Sequence, residues 1–145
     1  MIGLPKKTFY AMEAVLYIAY NGTQARISSK EIATRQSMPT RYLEQIMQRL
    51  VRCGILKGGR GPHGGYLLAR EKRRISLADI CRAVGEEEDI PTSTALGDKI
   101  ILPVIKDLRK HIIGQLDKVS ISDLCEQASA RNIRKAADED TNFTI

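Results

Sequence analysis

Gly58-Gly59-Arg60-Gly61-Pro62-His63-Gly64-Gly65-Tyr66 gathers five of the chain's 11 glycines into one basic segment. Glycine supplies positive φ and close backbone approach, so such a cluster marks a tight hairpin or a surface laid against a ligand. Gly59, Gly61 and Gly64 also satisfy the bare spacing G-x-G-x-x-G of dinucleotide sites. In those sites the glycines open a helix whose amides hold a pyrophosphate, and an acidic residue follows about 20 positions on. Here Pro62 sits inside the motif, the strand-like run Tyr66-Leu67-Leu68-Ala69-Arg70 follows it, and no Lys-Ser or Lys-Thr succeeds the glycines. A nucleotide cradle is therefore rejected in favour of a β-hairpin. Ile55-Leu56-Lys57 ascends, the glycines and Arg60 form the tip, and Tyr66 to Ala69 returns.

Upstream of the hairpin the pattern turns helical. Phe9, Met12, Val15, Leu16 and Ala19 fall at helical spacing within Thr8 to Ala19, and Asn21-Gly22 stops that helix. Ser28 followed by Glu31 reads as a capping box opening a short second helix to about Gln36. Ser37-Met38-Pro39 makes a turn, with Pro39 in the first turn of a third helix, where its missing amide costs little. Two helices joined by so short a turn form a helix-turn-helix candidate. On the third helix Leu43, Ile46, Met47 and Leu50 form an apolar stripe. Arg41, Gln45, Gln48 and Arg52 lie opposite, with Thr40 and Glu44 beside them. Arg pairs with guanine O6 and N7, Gln with adenine N6 and N7, and Glu accepts from cytosine N4, so this face suits a major groove. Ser28 and Arg49 complete the candidate contacts from the two helices.

Charge agrees with that partner. Residues 1–75 carry 14 Lys/Arg against 4 Asp/Glu, whereas residues 76–145 carry 9 against 13. The basic half points to a polyanion and the acidic half to a different role. At 145 residues and 43% hydrophobic the chain can bury one core. Lys6 and Lys7 precede the apolar Ala14-Val15-Leu16-Tyr17-Ile18-Ala19, but Glu13 interrupts the run, which falls well short of the roughly 20 residues a bilayer span needs. Neither export nor a membrane is expected, and the cytoplasm is the expected location. Cys53, Cys81 and Cys125 are odd in number and widely spaced, without C-x-x-C, so they suggest neither a disulfide framework nor a zinc ribbon.

Three segments carry a family resemblance. They are residues 10–19 (YAMEAVLYIA), 39–47 (PTRYLEQIM) and 60–70 (RGPHGGYLLAR), and they resemble the Rrf-two family of bacterial transcription regulators. The likeness runs from the N-terminus to about Asp117 or further. It implies a winged helix-turn-helix homodimer on a dyad-symmetric operator in double-stranded DNA. It also implies that Arg41, Tyr42, Glu44 and Gln45 lie on the recognition helix, and that Arg60, Gly61, Pro62, His63, Gly64 and Gly65 form the wing tip entering the minor groove.

The second half fits dimerisation. Ser76 with Asp79 starts a helix that Gly85 ends. Glu86-Glu87-Glu88-Asp89 begins a polar connection, and Ile101, Ile105, Leu108, Ile112, Leu116 and Val119 then recur at spacings of three, four or seven. Val104 and Ile113 widen this stripe, and Pro103 must lie in the helix's first turn or kink it. So long an apolar stripe needs a partner, and a second copy is the expected one. Ser120 with Asp123 opens a further short helix. The expected fold is mainly α with a small β-hairpin wing: a winged helix-turn-helix over 1–85, a connecting loop over 86–97, a dimerisation helix and short C-terminal helix over 98–131, and a flexible tail over 132–145.

Many members of the resembled family sense through an iron-sulfur cluster held by three cysteines before the long helix. From Glu86 to Leu102 this sequence has no cysteine and no histidine, so those ligands do not carry over and no cofactor or metal is expected. Structural thiols are the default, with a switch at Cys53, beside Arg52, left open. His63 reads as a wing residue near phosphate and His111 as a helix-surface or interface residue. The expectation is a non-enzymatic transcription regulator, a repressor, with an effector the sequence does not identify. The alternative is a redox-responsive sensor working through a thiol or an iron-sulfur cluster.

Overall fold

A computed structural model describes residues 4–22, 25–59, 64–85 and 90–138. Helices α1 (Lys6–Asn21), α2 (Ser29–Arg35) and α3 (Thr40–Arg52) are followed by an antiparallel hairpin, β1 (Leu56–Gly59) and β2 (Gly65–Leu68). After a 3-10 turn at Lys72–Arg74 come α4 (Leu77–Val84), α5 (Leu102–Asp117) and α6 (Ile121–Ala130). The architecture is the winged helix-turn-helix with an added long helix that the sequence implies.

Helix α1 is the central spar, packing on α3, α4, α6 and β2. It extends two residues beyond each end of the predicted span, and its buried face is not the predicted one. Ala11, Ala14, Val15 and Ile18 are fully buried, while Phe9 is 60% exposed and Met12, Leu16 and Ala19 are half-buried. Two alanines at i and i+3 let neighbouring elements approach closely, so the inner face mixes these small residues with Val15 and Ile18. A reading weighted by side-chain size rotates the helix away from its true inner face.

The second helix opens as expected at Ser28, whose hydroxyl accepts from the Glu31 amide at 3.1 Å. The box is only half made, because the Glu31 carboxylate instead accepts from the Tyr17 hydroxyl at 2.9 Å, tying α2 to α1. In the turn to α3, Ser37 adopts φ 53°, in the left-handed region. The Met38 amide donates to the Ala33 carbonyl at 3.0 Å and the Met38 side chain is buried, which seats the turn on the core. Pro39 is the N-cap of α3 rather than a residue of its first turn.

Two capping boxes meet back to back in the second half. Ser76 with Asp79 caps α4 and Ser120 with Asp123 caps α6, each reciprocally, as predicted. The two N-caps face one another: the Leu77 amide donates to the Val119 carbonyl at 3.0 Å and the Ile121 amide to the Ile75 carbonyl at 2.8 Å. Val119, predicted to end the long stripe, therefore lies beyond α5 in this junction. Helical backbone also begins earlier than the predicted residue 98, from residue 95 through a π-turn at Gly97–Ile101. The π-turn has a local cause. Pro103 offers no amide, and its ring crowds the carbonyl four residues back, so the preceding turn widens and the Leu102 amide reaches Gly97 instead. Residues 132–138, predicted as part of a flexible tail, lie against α1: the Ala136 amide donates to Asn21 Oδ1 at 2.7 Å, the Tyr20 hydroxyl to the Ile133 carbonyl, and Lys135 stands over the Tyr20 ring.

The base of α5 is tied to α4 by Arg82, whose two terminal nitrogens donate to the Asp117 carboxylate at 2.9 and 3.2 Å. These hydrogen bonds hold the Asp117 carboxyl below the ordinary aspartate range. Because the folded value is lowered, the contribution is present at neutral pH and is lost as pH falls through that lowered value. Asp117→Asn is expected to melt below the wild type at neutral pH, with the difference closing in acid. Equal melting temperatures at neutral pH would remove the tie.

Candidate nucleic-acid interface

Helix α3 divides into two faces as the sequence predicts. Leu43, Ile46, Met47 and Leu50 are fully buried, and Thr40, Arg41, Glu44, Gln45, Gln48 and Arg52 are exposed. Among the predicted contacts on the two helices, Tyr42, Arg49 and Ser28 are engaged within the protein. Tyr42 is half-buried, its ring edge-on to Tyr10 at 6.0 Å, with the Lys6 ammonium 5.6 Å from the Tyr10 ring centre. Arg49 is half-buried and donates to the Val84 carbonyl at the end of α4 at 3.3 Å. Ser28 is exposed, with its hydroxyl occupied by the α2 cap. The exposed face thus carries two arginines, one carboxylate and two glutamines on a rigid helix, donors and acceptors of the types that read base edges.

The wing lies against the same helix. Leu56 pairs with Leu68, Lys57 with Leu67, Gly58 with Tyr66 and Gly59 with Gly65. β1 packs on α3, and burial and then the Glu44 carboxylate push the Tyr66 phenol upward. Residues 25–28 add a third short segment, since Ile27 and Tyr66 exchange backbone hydrogen bonds of 3.0 and 2.8 Å.

This arrangement corrects the reading of the glycines. Gly58, Gly59 and Gly65 lie in the strands rather than at the tip, and two of them answer to the protein itself. Gly65 has φ 146°, and a Cβ there would stand 2.8 Å from the Ile27 carbonyl carbon and oxygen. A Cβ on Gly59 would stand 2.5 Å from a terminal nitrogen of Arg26. Gly64 is half-buried, and Arg60, Gly61, Pro62 and His63 lie outside the described residues. Sequence reasoning missed Arg26 because nothing near it in the chain signals that it meets a strand more than 30 residues away.

The cysteines are dispersed. Cys53 is exposed at the C-cap of α3, Cys81 is half-buried in α4, and Cys125 is buried in α6. Burial pushes the Cys81 thiol up against the lowering effect of Arg82, and pushes the Cys125 thiol up against Lys72 and Lys135. His111 is exposed, with Nδ1 2.8 Å from the Asp107 carbonyl. Among the described residues no group of three or more His, Cys, Asp or Glu could hold a metal ion. A crevice of about 300 Å³ does lie between the connection and α5, lined by Ile90, Pro91, Thr92, Thr94, Gly97 and Ile101. Its polar groups are hydroxyls rather than thiols or imidazoles, with the Thr92 hydroxyl 3.3 Å from Asp98 Oδ1, so these residues do not fit an iron-sulfur cluster.

Comparison with known proteins places this geometry in a family. Residues 4–127 match Rrf2, described as iron-dependent transcriptional regulator. The chain is 33% identical to slr0846 of Synechocystis sp. over 147 residues, spanning 98% of this chain and 99% of that one. It is 30% identical to the HTH-type transcriptional regulator IscR of Xenorhabdus nematophila, covering 97% of this chain and 90% of the relative. Among solved structures, IscR of T. potens superposes with a TM-score of 0.75 at 28% identity, covering 95% of this chain and 96% of the other. CymR, the global cysteine regulator of B. subtilis, does so with a TM-score of 0.67 at 25% identity, covering 88% and 98%. The chain belongs to the Rrf2 family. It is a winged helix-turn-helix DNA-binding transcription regulator and not an enzyme.

The two strand glycines should differ in tolerance. Gly65→Ala sets a strained φ and a Cβ against fixed backbone and is expected to destabilise by about 1–3 kcal/mol, whereas Gly59→Ala displaces only a flexible guanidinium and should cost less than about 1 kcal/mol. Urea denaturation compares them, and equal midpoints for the two variants would refute the assignment.

Proposed function

We propose that this protein is a repressor that binds a dyad-symmetric operator as a homodimer. Residues 1–85 act as the DNA-reading unit, with α3 in the major groove and the wing tip, Arg60 to Gly64, against the minor groove. The observation that carries this reading is the clean division of α3: four fully buried apolar residues on one face, and Thr40, Arg41, Glu44, Gln45, Gln48 and Arg52 exposed on the other beside the wing. A helix held by its inner face and presenting an unobstructed polar outer face suits major-groove docking.

The homodimer reading rests on α5, none of whose residues is buried. Ile101 is 58% exposed, Val104 57%, Leu108 42% and Ile112 37%. Ile105 and Leu116 are half-buried in the same stripe, and Leu96 and Ile100 extend it. An exposed apolar stripe of this length is expensive to leave in water, and a symmetric pairing of two such helices would also space two recognition helices on the DNA. Regulation would proceed without an iron-sulfur cluster, since the crevice beside the connection offers hydroxyls where a cluster needs thiolates. The cytoplasm is the proposed location, where a bacterial operator lies. No helix among the described residues is long and apolar enough to cross a membrane.

Arg41→Ala and Gln45→Ala are each expected to relax base preference at one or two operator positions, by about 1–3 kcal/mol at a good bidentate contact. Selection of fragments from random DNA followed by permuted-site binding measures this, and unchanged preference in both variants would sink the recognition-face assignment. Leu108→Glu with Ile112→Glu should yield monomers in sedimentation while the melting temperature of the DNA-binding unit stays near that of the wild type. A double variant still sedimenting as a dimer would exclude α5 as the interface.

A further inference from the structure

Arg26 is exposed and stands just before the segment that pairs with the wing. Its position is set by backbone, because the two hydrogen bonds between Ile27 and Tyr66 lay residues 25–28 along β2. The guanidinium then covers Gly59: a Cβ there would lie 2.5, 2.7 and 2.9 Å from Nη1, Cζ and Nε. Gly59 is the last residue of β1, directly before Arg60, so the charge is carried to the edge of the wing tip. Among the described residues no carboxylate forms an ion pair with Arg26. Arg73 is answered by Glu71 and Arg82 by Asp79 and Asp117, while among the described residues Arg26 shares its lack of a carboxylate partner with the exposed Arg41 and Arg52 of α3. A planar cation seated on glycine backbone at the end of β1 and without a counter-charge is suited to an external anion.

We infer that Arg26 is a second arginine of the wing, contacting a DNA backbone phosphate beside the groove that the tip enters, and that Gly59 is glycine to keep this guanidinium in place. The inference rests on the wing being a DNA-contacting element, so Arg60→Ala serves as the reference variant.

Binding to a short duplex of random sequence, titrated across salt concentrations, tests it. Arg26→Gln should lower the slope of log K against log salt by about 0.9 per subunit, a loss of roughly eightfold at about 0.1 M relative to 1 M. Arg26→Lys keeps the charge and should retain most of the slope. Gly59→Ala keeps every charge but moves the guanidinium, so it should weaken binding in the wild-type background and have no further effect in Arg26→Gln. If Arg26→Gln keeps the wild-type slope while Arg60→Ala lowers it, the wing contact stands and the role of Arg26 is overturned. Unchanged slopes in both variants would overturn the wing contact and this inference together. Equal losses from Gly59→Ala in both backgrounds would overturn the positioning role of Gly59.

Discussion

Two backbone hydrogen bonds between Ile27 and Tyr66 hold the DNA-binding half in one arrangement. They add a third segment to a two-stranded ribbon that also packs on α1 and α3, support such a ribbon needs in water. With them, the wing is fastened to the segment that leads directly into the Ser28 cap of α2, so wing and helix-turn-helix share a rigid connection. The close approach has a steric consequence. Residue 65 must lack a Cβ because Ile27 backbone occupies the space, whereas a Cβ at residue 59 would meet only the movable guanidinium of Arg26. Glycines that suggest flexibility or approach to a ligand thus also record a tightly packed joint.

A second constraint acts on the long helix. Pro103 removes one amide from the helical ladder, and the preceding turn widens into the π-turn at Gly97–Ile101. At its other end α5 is anchored through Arg82 to Asp117 and through the paired caps of α4 and α6. Between these ends the helix buries none of its residues within the chain. Anchored firmly at its base and carrying an exposed apolar stripe, α5 projects from the core, to which the paired caps join it directly.

The thiols illustrate how far a family pattern extends to one member. The fold is that of the Rrf2 family over residues 4–127, yet the segment leading into α5 carries Thr92, Ser93 and Thr94 rather than cysteines. Cys81 and Cys125 have thiols raised by burial, which disfavours the thiolate that metal binding or exchange requires. Cys53 alone among the three is exposed, at the end of α3, whose polar face is exposed too.

Features governed by residues three to seven apart were legible in the sequence. The two faces of α3, the caps at Ser28, Ser76 and Ser120, the hairpin and the stripe on α5 all follow from helical or strand periodicity and from side chains that bond their own nearby backbone. What only the tertiary structure decided depends on residues distant in the chain. Glu31 leaves its cap for Tyr17, Arg49 turns to Val84, α1 buries Ala11, Ala14 and Ile18 while leaving Phe9 exposed, Val119 leaves the stripe for Leu77, and Arg26 settles on Gly59. Local spacing carries no signal for such pairings, because they are set by which surfaces meet once the core has formed and by which polar groups must then find partners.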